Sequence, residues 1–140
     1  FEAVGELRVG LCRVRPVFLH MDYWPGNILW RRGQISGLVD WDAASYGDPA
    51  LDVAYFRMNM YLRGIKEAAD IFLDYYEAES GPVENLGFWE LACAARPLPA
   101  PARWLLEFYE TQDVSSIVNR AETDFREFVA SSMQRAHAGR

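Results

Sequence analysis

The chain has 140 residues, 51% of them hydrophobic, and a formal net charge of -6. That length and apolar share suit a single domain with a real core and exclude a disordered chain. No run is long enough to span a membrane, no basic region leads into an apolar stretch at the N-terminus, and the acidic balance argues against a nucleic-acid partner, which leaves a soluble cytoplasmic protein as the expectation.

The sequence opens at Phe1 in mid-pattern, without an initiator Met, and reads as a piece of something longer. Val4, Leu7 and Leu11 share one helical face over 1–13, weakened by Gly5 and Gly10. Pro16 ends any helix there, and Val17-Phe18-Leu19 reads as a short buried strand that delivers His20 and Asp22 into a loop with a Pro25-Gly26 turn. Ile28-Leu29-Trp30 and Ile35 to Val39 are the β-rich arms of a hairpin in which Gly33 supplies the positive φ. Arms of similar length put their open ends side by side, so Asn27 and Asp40 are expected to meet.

Asp48 as N-cap with Pro49 at the first helical position starts a helix that runs to about Arg63. Its expected buried stripe is Leu51, Ala54, Tyr55, Met58 and Leu62, with Arg57 and Arg63 off that face. A second helix spans Lys66 to Glu79 and stops at Ser80-Gly81-Pro82. Helices over Asn85 to Ala95 and Ala102 to Thr111 are divided by Pro97-Leu98-Pro99-Ala100-Pro101, and Ser115 to about Arg135 closes the chain as a long helix. Cys12 and Cys93 are far apart and outside any CxxC spacing, so both read as reduced packing residues.

The chemistry concentrates between His20 and Asp52. A carboxylate to handle a hydroxyl proton at Asp22, with an amide at Asn27 and a second carboxylate at Asp40 as hard oxygen ligands for Mg²⁺, are the parts that phosphoryl transfer needs. A metal-dependent hydrolase would recruit several histidines, and the only other one is His137. Trp24, Trp30 and Trp41 surround the candidate site in sequence; Trp24 is a candidate substrate contact, and core packing is expected for Trp30. Asp42 is a candidate contact to a second ion or to substrate. Glu84, Glu90, Glu107, Glu110 and Asp113 suit either an amine-bearing substrate or a solvated helical surface.

The stretch His20-Met21-Asp22-Tyr23-Trp24-Pro25-Gly26-Asn27, then Leu38-Val39-Asp40-Trp41-Asp42, then Gly47-Asp48-Pro49-Ala50-Leu51-Asp52-Val53-Ala54, resembles the aminoglycoside phosphotransferase and choline kinase family of the protein-kinase-like fold. The resemblance implies an α+β, mostly helical chain: a C-terminal catalytic lobe with a catalytic loop, a short hairpin and four to five following helices. It implies an ATP-dependent kinase of small-molecule hydroxyl acceptors, in which Asp22 is the catalytic aspartate and Asn27 and Asp40 hold Mg²⁺ against the ATP phosphates. His20, Asp48 and Asp52 would be supports, with Asp52 tying its helix to the catalytic loop. Seven residues separate Asp40 from Asp48, too few for the activation loop of a protein kinase, and Trp41-Asp42 stands where Phe-Gly would.

Two departures matter. Met21 holds a position that is usually glycine in the family. The phosphate-covering loop and strand lysine of an N-terminal lobe are also absent, since the sole lysine is Lys66. The chain 1–140 therefore reads as a single, partial catalytic lobe. Its acidity permits a cationic acceptor, self-association would cover surface left by a missing lobe, and the competing reading is a non-catalytic fragment or binding module.

Overall fold

The structure is a computed structural model that describes residues 5, 10–106 and 114–138. The chain is α+β and mostly helical, as expected. Strand β1 (Val17–Leu19) pairs antiparallel with β4 (Ser45–Gly47), and β2 (Ile28–Arg31) pairs with β3 (Gln34–Leu38) as a hairpin. A one-turn 3-10 segment, Pro25–Asn27, leads into β2. The helices follow as α1 (Ala50–Leu62), α2 (Lys66–Ser80), α3 (Leu86–Ala94), α4 (Pro101–Leu106) and α5 (Val114–Ala138).

The hairpin turns through Arg32 and Gly33, with φ of 54° and 77°. Positive φ at both central residues matches the twist of the flanking strands, and glycine at the second position lowers its cost. Asp48 begins α1 as its sequence suggests: Oδ1 accepts the Ala50 N–H at 3.0 Å and its carbonyl accepts the Leu51 N–H at 3.0 Å.

The core is built around α1, against which α2, α3 and α5 pack. Val53, Ala54, Met58, Leu62 and Phe128 are fully enclosed there. The backbones of α3 and α5 touch at Gly87, where a Cβ would lie 2.4 Å from the Ala136 nitrogen, so only glycine permits that approach.

Several expectations are corrected. Arg57, placed off the buried face, is 1% exposed, and Glu90, expected either at an amine-bearing substrate or on a solvated helical surface, is 0% exposed. The two pair inside the core at 2.7 Å; Glu90 also meets Arg135 at 3.2 Å, and Arg57 reaches the Ala69 carbonyl and Asp70. Helix α1 is therefore enclosed on nearly every side and has no polar face in the usual sense. Strand β1 is not buried as a whole: only Leu19 is covered, while Phe18 stacks on Trp41 and meets Tyr46 at a tilt at the surface. Trp30 is 62% exposed and is not a core residue. Strand β4 had no sequence signal. The expected N-terminal helix and the 107–111 end of the expected fourth helix lie largely or wholly outside the described residues.

Candidate active site in the loop after the first strand

Three short-range devices hold the loop that carries Asp22. The first is Asp52, on the opening turn of α1, whose Oδ2 accepts the His20 N–H at 2.7 Å and whose Oδ1 accepts the Met21 N–H at 2.8 Å. A carboxylate bridging two successive amides fixes the peptide plane just before Asp22 and neutralises part of its own charge without a cation. Met21 takes φ of 69°, the left-handed region that favours glycine.

The second device is His20, 3% exposed, whose Nε2 lies 2.9 Å from the Val39 carbonyl. A carbonyl only accepts, so Nε2 carries a proton; Nδ1 is buried and has no hydrogen-bond partner among the described residues. The Val39 N–H donates to the Asn27 carbonyl at 3.0 Å. One peptide thus ties the end of the hairpin both to its beginning and to the loop. Asp40 is the next residue, turned outward with φ of 63° and exposed to solvent.

The third device is Asn27, which is buried. Its Nδ2 donates to the Asp22 carbonyl at 2.9 Å and to Asp22 Oδ2 at 2.9 Å. Both partners are acceptors, so the amide nitrogen must face them and Oδ1 points elsewhere. Among the described residues no donor reaches that Oδ1. Asn27 therefore orients Asp22 with one end of its amide and keeps a hard oxygen in reserve at the other.

Tyr55 completes the surroundings of Asp22. Burial and then the nearby Asp22 carboxylate push its phenol up to about 12. The sequence reading placed Tyr55 in the core stripe of α1 and missed this neighbour. The available signal was its position three residues after Asp52, on the face of α1 that meets the loop. The guanidinium of Arg96, just beyond α3, lies over the Tyr55 ring at 4.8 Å and near the Trp104 ring at 5.6 Å.

The remaining candidates separate by their contacts. Asp48 is occupied: Oδ2 accepts from Asn85 Nδ2 and Trp89 Nε1, both at 2.8 Å, which pins α3 to the start of α1. Trp24 is half-buried, packs on the core, lies under the Arg63 guanidinium at 4.5 Å and fills the space beside Gly26. Asp42 is exposed and has no hydrogen bond among the described residues. Glu84 is exposed and raises the Cys12 thiol pKa, while Glu107, Glu110 and Asp113 lie outside the described residues. A cavity of about 310 Å³ behind the loop is walled by Phe18, His20, Tyr23, Trp41, Phe72 and Tyr76, and Asp22 is not part of its wall.

This chain matches the phosphotransferase enzyme family, APH, over residues 5–89, which is more than half of its length and contains every loop and hairpin residue above. The chain belongs to that family. No curated protein and no solved structure matches it. The APH match bears out the resemblance to the aminoglycoside phosphotransferase and choline kinase family, and with it a phosphotransferase, kinase-like function.

The donor set suits the metal such kinases generally use. Among the described residues no three His, Cys, Asp or Glu side chains gather as a metal cage. Mg²⁺ does not need one: it takes one or two protein oxygens and fills its octahedron with phosphate and water. Asn27 Oδ1 and the exposed Asp40 carboxylate are oxygens of that kind. Among the described residues no helix is long and apolar enough to cross a membrane.

Proposed function

We propose that this chain is the C-terminal, catalytic lobe portion of an ATP-dependent phosphotransferase whose acceptor is a small-molecule alcohol. The observation that carries the reading is the Asn27 amide, which bonds Asp22 through nitrogen and leaves its oxygen open beside the end of the hairpin. It couples the group that meets the acceptor to the group that would hold the metal.

In this reading Asp22 orients the acceptor hydroxyl. The hydroxyl oxygen bonds to the γ-phosphorus of ATP as the bond from that phosphorus to the bridging oxygen breaks, ADP leaves with the electron pair, and the hydroxyl proton passes to Asp22 and then to solvent. Asn27 donates to the Asp22 carboxylate and to its carbonyl, which holds the side chain in one rotamer, so its task is positioning more than strong base catalysis. Asn27 and Asp40 would hold Mg²⁺, which when bound neutralises charge on the phosphates. Asp42 and Trp24 remain outer candidates for substrate contact.

One observation favours a second reading, a binding module without turnover. The only lysine, Lys66, sits on α2 and pairs with Glu127 at 2.7 Å, so it is not available to hold ATP phosphates. A direct test measures Mg²⁺-dependent ADP formation with a panel of alcohols, by the chain alone and with a family N-terminal lobe supplied. Activity that falls about 10²- to 10⁴-fold in Asp22→Asn supports the kinase reading. Failure to bind Mg²⁺ and nucleotide even with that lobe present sinks it and leaves the binding module.

A further inference from the structure

The cavity behind the loop is walled chiefly by rings. Phe18, Tyr23, Trp41, Phe72 and Tyr76 line it together with His20. Their contacts run without a break: Phe18 stacks on Trp41 at 5.6 Å, Trp41 meets His20 at 4.5 Å, His20 meets Tyr23 at 6.3 Å, and Tyr23 and Tyr76 each meet Phe72 at 6.1 Å. At about 310 Å³ the space lies at the small end of ligand-sized cavities.

One carboxylate belongs to this wall, that of Asp52, and no lysine or arginine does. Asp52 accepts the His20 and Met21 N–H groups, and among the described residues no cation pairs with it. Neutral amides leave its formal charge in place. Burial and then that charge push the Tyr23 phenol above its ordinary range, so the field of Asp52 reaches the rings. An aromatic ring is itself negative on its face, so the rings add to this field.

Such a wall selects among guests. A neutral apolar molecule gains from the rings and nothing from Asp52. A hard metal ion finds too few oxygens here to replace its water. A soft organic cation gains from both, through cation–π contact with the ring faces and attraction to the carboxylate.

We infer that this cavity is a binding site for a small organic cation of the alkylammonium class, held by the aromatic wall and Asp52. Asp22 is not part of the wall. The cation is therefore not the phosphate acceptor, and its binding needs neither ATP nor Mg²⁺. It rests against His20 and Asp52, which hold the loop from behind, so its arrival is felt at the His20 and Met21 amides.

The test is a titration of the isotopically labelled 140-residue chain, without nucleotide, followed by amide shifts. The probes are tetramethylammonium chloride, which has no hydroxyl to phosphorylate, neopentyl alcohol, which is of similar size and uncharged, and sodium chloride as the ionic-strength control. Tetramethylammonium should give saturable shifts at His20, Met21, Tyr23 and Trp41 and bind about tenfold more tightly than the alcohol. Trp41→Leu should weaken it about fivefold or more. Phe18→Leu, at a rim position that is 55% exposed, should weaken it in the same direction with little demand on the core. Trp30→Leu, outside the cavity wall, should leave it unchanged. Equal binding of neopentyl alcohol, the same shifts with sodium chloride, or no saturable shift with tetramethylammonium overturns the inference. So does undiminished binding in Phe18→Leu and in a folded Trp41→Leu, or an equal loss in Trp30→Leu.

Discussion

Met21 stands where the family resemblance leads one to expect glycine, and its backbone takes the region that favours glycine. Its φ of 69° explains why glycine is usual there: an L side chain in that region costs about 1–2 kcal/mol. The two hydrogen bonds that Asp52 accepts from the His20 and Met21 N–H groups hold the conformation against that cost. Met21→Gly releases the strain at a cost of about 0.5–1 kcal/mol in chain entropy, so a net gain of up to about 1.5 kcal/mol is expected. Urea denaturation would register it as a higher midpoint; an unchanged or lower one would mean that the left-handed turn carries no strain. Asp40 takes the same region at φ of 63°, where a short polar side chain is tolerated better. Asp22, Asn27 and Asp40 could be singled out in the sequence because residue type and spacing survive as a linear pattern. Tyr55 could not, since an aromatic in an apolar stripe looks like core.

Among the elements, the helix boundaries were the most legible, because caps and stops are local chemistry. Asp48-Pro49 opens α1, Ser80-Gly81-Pro82 closes α2, and the observed bounds differ from expectation by only a residue or so. What a helix faces is a different matter. Arg57 looks like a solvent residue from the periodicity of α1, yet it is enclosed because α3, 33 residues later, brings Glu90 against it. Glu90→Ala should destabilise the chain by about 3–5 kcal/mol, since it strands a guanidinium in the core. Thermal or urea unfolding would check this, and a loss under about 1 kcal/mol, the scale of a surface pair, would contradict the enclosed pairing. Strand β4 was unreadable for a related reason. Ser45-Tyr46-Gly47 has no alternation of its own, and it is extended because the edge of β1 supplies its hydrogen-bond partners.

For the molecule as a whole, the same contacts couple the candidate site to global stability. The Tyr55 phenol, ordinarily near 10, is pushed up to about 12 by burial and by Asp22. The folded state therefore holds a proton that the unfolded state releases first. This stabilisation is complete below about pH 10 and drains away as pH rises toward 12. Denaturation free energies measured between those limits should fall with pH, and Tyr55→Phe should make that slope shallower; an identical slope would dissociate Tyr55 from the effect. Fold class, the hairpin and the phosphotransferase family could be read from the chain because turn chemistry, capping and motif spacing depend on neighbours in sequence. The buried Arg57–Glu90 pair, the Val39 peptide clamped between His20 and Asn27, and the ring-walled cavity behind the loop became visible only in the fold. Each joins groups from separate elements, and the energy that selects it, desolvation balanced by hydrogen bonding and charge, exists only once those elements have packed.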